Sequence, residues 1–456
     1  MQNIGLYSQL GKEIDNFFKP FNDLVTKPQS RNLREMARGL IEEDSGHLLR
    51  IGEKVAKGIT PRKNTERYSN MLQKLDHHSL QLQQILNTRQ HFCAERKTGA
   101  PLLIIPDGGD IQKPHAQKME NICSTVDGSN GHKTGKGFPI ISLMAYGTRS
   151  KEKRVLVTDL YSTRSEAFTS SWTKQKQWME ALSPITSTLN TIIVEDAIAD
   201  DNKRLNYYHN DMGSDFLIRL TTKRNFLIKR HSEDTVYESI SVKDLAQQMK
   251  PKLSDPREYR NKKLNRKLTS RIAYQPVEHS GIVDREEKRI PLNLIVIFTD
   301  GFTNPMLLLT NRNLAHTAEA WKHFFWYKRR WEIEKYYREI KQLFGVEKVL
   351  LQKYEALKAF LVVVMLVYTL LKRLTRKIHQ FLQNLKQIYY DFLKQFQRDE
   401  REQDKPTVST LCAFIRETLN QYQPLFTYHS YRWKIFLVRY RTNPNQLLLL
   451  DFRKKW

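Results

Sequence analysis

Between residues 101 and 221, short apolar runs and helical stretches alternate in an order that few architectures accommodate. The runs at 102–106 (LLIIP), 138–146 (FPIISLMAY) and 154–158 (RVLVT) read as three strands separated by turn-rich segments. A helix over 172–182, a strand over 191–195 (TIIVE), a helix near 202–210 and a strand over 215–221 (DFLIRLT) follow. Three strands and a helix, then strand, helix and strand, is the order of an α/β fold built round one central sheet.

The flanks read differently. Residues 1–98 are helical, with Ser30 as an N-cap for 31–41, a break at Asp44-Ser45-Gly46 before 47–56, a second break at 58–61 before 62–75, and a helix over 79–97. Short basic helices joined by tight turns suit a DNA-binding module, and a helical domain with a solvated basic face fits the same pattern. Residues 222–312 interrupt the α/β order as a β-rich insertion, with strands at 225–229, 292–298 (LNLIVIF) and 306–310 (MLLLT). The basic polar stretch 250–271 within it reads as a loop facing solvent or a ligand. A long helix over 315–344 and an apolar helix over 351–371 come next, and 376–456 is helical, basic and aromatic with a charged linker at 398–405. The chain thus divides at 1–98, 99–221, 222–312, 313–375 and 376–456, and it shows no repeat of fixed period.

Charge narrows the function. Lys and Arg number 75 against 49 Asp and Glu, a formal +26 with a pI near 9.8. Such a surplus points to a polyanion, nucleic acid before an anionic membrane surface. Its spread over 31–38, 257–271, 328–341 and 372–377 suits a long groove or several contact faces. Cys93, Cys123 and Cys412 can build neither a disulfide framework nor a cysteine zinc site, which suits a reducing cytoplasm. No secretory signal is visible at the N-terminus. The apolar run at 359–371 is roughly 13 residues, short of the ~20 that span a bilayer, so it reads as a buried core helix and no membrane is expected.

Chemistry concentrates on the long helix. At about 100° per residue, Tyr327, Arg330, Glu334 and Lys341 fall within roughly 60° of one another. Beside them Ile333, Tyr337, Ile340 and Phe344 follow the rhythm of a core stripe. Phosphodiester chemistry uses such a set: a carboxylate for a divalent metal, and Arg, Lys and Tyr for phosphate oxygens. A solvated face with helical ion pairs carries the same residue types. Glu332 and Glu339 point roughly 160° and 140° away from Glu334, which leaves Glu334 as the candidate. Further carboxylates stand at strand ends, where open α/β folds place ligands. Asp107 follows 102–106, with Asp110 as its rival, and Asp196 follows 191–195, with Asp200 and Asp201 as rivals; each can equally be a turn or cap residue.

Together these residues resemble the DDE transposases of bacterial insertion sequences, in particular the insertion-sequence-four family. Its signature, Tyr, two residues, Arg, three, Glu, six, Lys, is met at Tyr327, Arg330, Glu334 and Lys341, and the resemblance covers about residues 30–375. It implies a ribonuclease-H-like core interrupted by the β-rich insertion and flanked by helical regions. In that core Asp107, Asp196 and Glu334 would bind two Mg²⁺ ions, or Mn²⁺ in their place. Those metals would activate water to nick DNA at element ends, then activate the 3′-hydroxyl to attack target DNA. Arg330 and Lys341 would hold phosphates near the cut, and Tyr327 would position the same backbone. Members with this signature are associated with a hairpin intermediate and cut-and-paste movement. The implied partners are double-stranded DNA, as element ends and target, and a second copy of the chain; the implied location is the bacterial cytoplasm, at the nucleoid.

One departure is that Asp107-Gly108-Gly109-Asp110 stands where the family usually has Thr near its first Asp. A nuclease that cuts without joining, and a non-catalytic nucleic-acid-binding protein, are the rival classes. The glycine-rich segment 128–137 lacks phosphate-loop spacing and reads as a loop. His77 and His78 show no metal spacing, and Phe324-Phe325-Trp326 reads as packing.

Overall fold

The structure, a computed structural model, describes residues 2–43, 45–55, 59–127, 133–229, 237–261, 266–382, 389 and 407–420. It divides into two compact units. One comprises Met1–Leu75, Gln342–Leu350 and Val367–Trp456; the other comprises Asp76–Lys341 and Leu351–Leu366.

The second unit is a mixed α/β body. Its strands are β1 (Leu102–Gln112), β2 (Cys123–Asp127), β3 (Lys133–Gly147), β4 (Lys153–Leu160), β5 (Thr191–Glu195), β6 (Asp215–Arg219), β7 (Asn225–Ile228), β8 (Glu238–Ser241), β9 (Arg257–Asn261), β10 (Arg266–Val277), β11 (Leu292–Thr299) and β12 (Met306–Thr310). Ten of these form one sheet in the order β2-β3-β1-β5-β6-β12-β11-β10-β9, with β4 also on β3, and β7 and β8 form a separate hairpin. β1 runs antiparallel to β3 and parallel to β5, and β5 runs parallel to β6. All five residues of β5 are buried, as its unbroken apolar run requires of a strand covered on both faces. The edge strand β4 is covered by the helix His77–Arg89: Gln84 donates to the Val155 carbonyl at 3.0 Å, and the Thr158 amide donates to Gln81 at 2.7 Å.

Several expectations change here. β1 runs on to Gln112, well past the apolar residues, because β3 keeps pairing with it after β5 stops at Ile104. The stretch 250–271, of which 262–265 lie outside the described residues, is largely not a loop. After the single turn Lys250–Lys252 it forms β9 and the first half of β10, and Leu268, Ser270 and Ile272 are buried on alternate positions beneath the basic residues. The insertion's later strands continue the main sheet, since β12 pairs with β6. Of the segment 128–137, residues 133–137 are strand; 128–132, like the linker at 398–405, lie outside the described residues.

The expected single helix over 315–344 is two helices, Thr317–Tyr327 and Trp331–Leu343, joined by a 3₁₀ turn at Lys328–Arg330. The apolar helix, expected over 351–371, is Tyr354–Arg376, 23 residues that extend the apolar run at both ends. It is long and apolar enough to cross a membrane by length and composition, and 83% of its apolar window is buried within the protein.

The described part of the first unit is helical, built on Gln2–Phe18, Lys27–Glu42, Leu48–Val55, Pro61–Gln73 and Val408–Asn420. Lys27–Glu42 starts four residues earlier than the sequence suggests. Thr26, not Ser30, is its cap: Gln29 N donates to Thr26 Oγ1, and Gln29 Oε1 accepts from Thr26 N at 2.9 Å. Arg416 donates to the carbonyls of Leu40, Ile41, Glu43 and Leu343, satisfying groups that two helix C-termini leave unpaired.

Candidate active site

At the carboxyl end of β5 the sheet opens. Asp107 lies on β1 just beyond the last β5 pairing, opposite Ser142 of β3, and Asp196 is the first residue after β5. Asp196 Oδ1 accepts the Ile198 amide at 3.1 Å and so caps the 3₁₀ turn Ala197–Ala199, which turns the other oxygen outward. Glu334 projects from the first turn of Trp331–Leu343.

Arg330 brings the three together. Its guanidinium lies 2.7 Å from Glu334 Oε1, 3.4 Å from Asp107 Oδ2 and 3.9 Å from Asp196 Oδ2. It is 10% exposed, against 19%, 42% and 33% for the Asp107, Asp196 and Glu334 side chains, so Asp196 and Glu334 face solvent while Asp107 and the base sit behind them. Arg330 is the last residue of the 3₁₀ turn, one helical turn ahead of Glu334. Three carboxylates share one guanidinium, which leaves two negative charges in excess when all are ionised. Burial pushes the Asp107 carboxyl up to about 7; Arg330 draws it down, and Asp196 and Glu334 push it further up. For Arg330, burial opposes the charge, but Asp107, Tyr327, Glu334 and Asp196 outweigh it and raise its pKa.

Tyr327 and Lys341 sit at the margins. Tyr327 is 3% exposed and receives a hydrogen bond from Arg330, so it reaches the cluster through that residue. Lys341 pairs with Asp110 at 3.1 Å, beside the cluster rather than in it. The rival acids have other partners. Asp200 accepts from the Thr221 amide and hydroxyl and pairs with Arg224 at 2.5 Å, while Asp201 caps Asn202–Asn206 through the Lys203 amide. Glu332 points away, buried between Lys153 at 2.7 Å and Lys335 at 3.0 Å.

Tyr337, read from sequence as core alone, supports the first acid. Its phenol donates to the Asp107 carbonyl at 2.7 Å and is hydrogen-bonded to Ser142. The close fit explains the second glycine of the pair: a Cβ on Gly109 would stand 3.1 Å from the Tyr337 ring and 3.2 Å from Ile140. A phenol three residues beyond a candidate acid, inside an apolar stripe, was the available signal.

Among the described residues, no three His, Cys, Asp or Glu side chains stand grouped as a metal site; the three acids close on Arg330 instead. Their chemistry suits a hard divalent cation nonetheless. All are oxygen donors, two of them a third or more exposed, on separate rigid elements.

A family model described as a transposase DDE domain matches residues 99–370, a span that contains all six candidate residues. No curated protein matches the sequence. Among solved structures, the cryo-EM structure of the piggyBac transposase synaptic complex with hairpin DNA is similar at 9% identity, over 88% of this chain and 81% of that chain. Its TM-score of 0.39 marks a likeness too slight to carry an argument.

Proposed function

The chain belongs to the transposase DDE domain family, and from that premise we propose that it is a DNA transposase of the insertion-sequence-four type, which cuts element ends and joins them to target DNA by cut-and-paste movement. The observation that carries this reading is the convergence of Asp107, Asp196 and Glu334, from three separate segments, on one side of Arg330. The run of β4, β3 and β1 antiparallel, then β5 and β6 parallel, supports a ribonuclease-H-like core beneath them. The β-rich segment between the second and third acids supports the same assignment.

Two Mg²⁺ ions, with Mn²⁺ as a substitute, would be held by Asp107, Asp196 and Glu334; when bound, such ions lower the pKa of an attacking water or 3′-hydroxyl and neutralise the leaving oxygen. The protein's own groups do the rest. Arg330 offsets part of the acids' charge while DNA is away and offers a charge-assisted hydrogen bond when a phosphate arrives. Tyr327 holds that guanidinium from behind, and Tyr337 fixes the backbone under Asp107. Lys341, 22% exposed beside Asp110, supplies a second phosphate contact. The partners are two element ends and a target duplex, which calls for a homodimer on DNA, acting at the bacterial nucleoid in the cytoplasm.

The test is Mg²⁺-dependent cutting of a DNA fragment spanning the element's end, comparing wild type, Glu334→Gln and Glu332→Gln. Cutting by wild type and Glu332→Gln but not Glu334→Gln, with DNA binding unchanged, is the expected result. Equal losses in both variants would overturn the assignment. Cutting without any joining to target would reduce the function to that of a nuclease.

A further inference from the structure

The helix Pro61–Gln73 of the helical unit is two-faced. At about 100° per residue, its buried residues Asn64, Tyr68, Met71 and Leu72 span roughly 100° on one side. Arg62, Lys63, Glu66, Asn70, Gln73 and the adjoining Lys74 are all exposed and cluster within roughly 120° on the other. Arg62 is 89% and Glu66 63% exposed.

We propose that this helix reads base edges in the major groove of the element's terminal DNA, with Arg62, Glu66, Asn70 and Gln73 as the reading side chains and Lys63 and Lys74 on phosphates. The inference rests on the transposase reading and names the element that recognises its DNA.

Three observations carry it. Arg, Asn, Gln and Glu are the side chains whose donors and acceptors discriminate base pairs in the major groove, and four of them lie along one helix face. One margin bears both lysines, the sequence-independent phosphate contacts. The helix is also rigidly mounted behind that face. Asn64 donates to the Gly52 carbonyl at 3.3 Å, and a Cβ on Gly52 would come within 3.1 Å of Asn64 and of the Pro61 carbonyl. Leu48–Val55 is therefore pressed against it, as the first helix of a helix-turn-helix pair is against the second. Leu48–Val55 is clamped in turn by Lys27–Glu42, where a Cβ on Gly39 would meet Ile51 at 2.6 Å. From Asn32 to Glu42 no residue of Lys27–Glu42 is exposed, so that helix has no comparable face to offer. The rival account, a solvated face with one helical ion pair, makes the six side chains interchangeable with alanine.

The experiment selects DNA from a randomised duplex pool with the full chain, in chelator so that no cutting intervenes. Wild type, Asn70→Ala, Arg62→Ala and Lys63→Ala are compared, with thermal melts to verify folding. Wild type enriches one site. Asn70→Ala and Arg62→Ala lose preference at one or two adjacent positions, on the order of 10-fold each, while non-specific binding persists. Lys63→Ala keeps the enriched site, binds all sequences more weakly, and lowers the salt slope by about 1. A wild-type site enriched unchanged by Asn70→Ala and Arg62→Ala overturns the helix's role and leaves the transposase reading standing. A wild type that enriches no site overturns both the helix's role and recognition of element ends.

Discussion

Glu195 and Asp196 are neighbours in sequence at the end of one strand, and their surroundings could hardly differ more. Glu195 is 4% exposed and accepts from Gln175 at 2.7 Å and from the Tyr208 phenol, with Arg204 3.8 Å away. Asp196 is 42% exposed and shares Arg330 with two other acids. Burial pushes the Glu195 carboxyl up, and its hydrogen bonds and Arg204 oppose that shift. The lesson is about satisfaction rather than residue type. A buried carboxylate with a hydrogen bond on each oxygen holds strands and helices together. Three carboxylates on one guanidinium, two of them a third or more exposed, leave negative charge for a metal or a phosphate to neutralise.

The widest gap should open between substitutions at these two positions. Asp196→Asn is expected to cut Mg²⁺-dependent DNA cleavage by on the order of 10³-fold or more while barely moving the melting temperature. Glu195→Gln should do the opposite, destabilising the fold by about 1–3 kcal/mol in denaturant titration with cleavage per folded molecule retained. Should Glu195→Gln abolish cleavage at unchanged stability, the division of labour between the two neighbours fails.

A finer contrast lies on the helix Trp331–Leu343. Burial pushes Glu332 upward, but Lys153 and Lys335 outweigh it and hold the carboxyl at about 2, below its ordinary 4.5. A lowered carboxylate contributes stability that is fully present above about 4.5 and lost as the pH falls toward 2. Both lysines are a third or more exposed, so Glu332→Gln should destabilise by about 1–2 kcal/mol at neutral pH. Acid-titrated melts of the two proteins should converge near pH 2. Persistence of the difference there would mean that packing, not charge, accounts for it. The smallest effect belongs to Lys341→Ala, a few-fold loss of DNA affinity with the salt slope reduced by about 1 and stability little altered. A sequence-dependent loss would instead make Lys341 a base reader.

Much of the molecule was legible from local pattern. The strands at 102–106, 138–146, 154–158 and 191–195 stand out because apolar runs of that length suit few other environments, and each forms part of β1, β3, β4 or β5. The core stripe of Ile333, Tyr337, Ile340 and Phe344 is buried, as its spacing requires. The basic strands β9 and β10 were not legible, because none of residues 257–260 in β9 is buried and in β10 Ser270 and the charged neighbours interrupt the alternation of Leu268 and Ile272. Nor was the break at Lys328–Arg330: no Gly or Pro marks it, and all three residues suit a helix.

Sequence by itself determined the α/β class, the helices before residue 99, the basic charge and a short list of acids, since each follows from composition or from a repeat only a few residues long. Only the tertiary structure decided which acids stand together. Arg330 meets Asp107 across 223 positions of chain, while Asp110 goes to Lys341 and Asp200 to Arg224. Those pairings depend on where β3 holds β1 beyond β5, which sets Asp107 against a helix distant in sequence and leaves no periodic trace among the residues that form it.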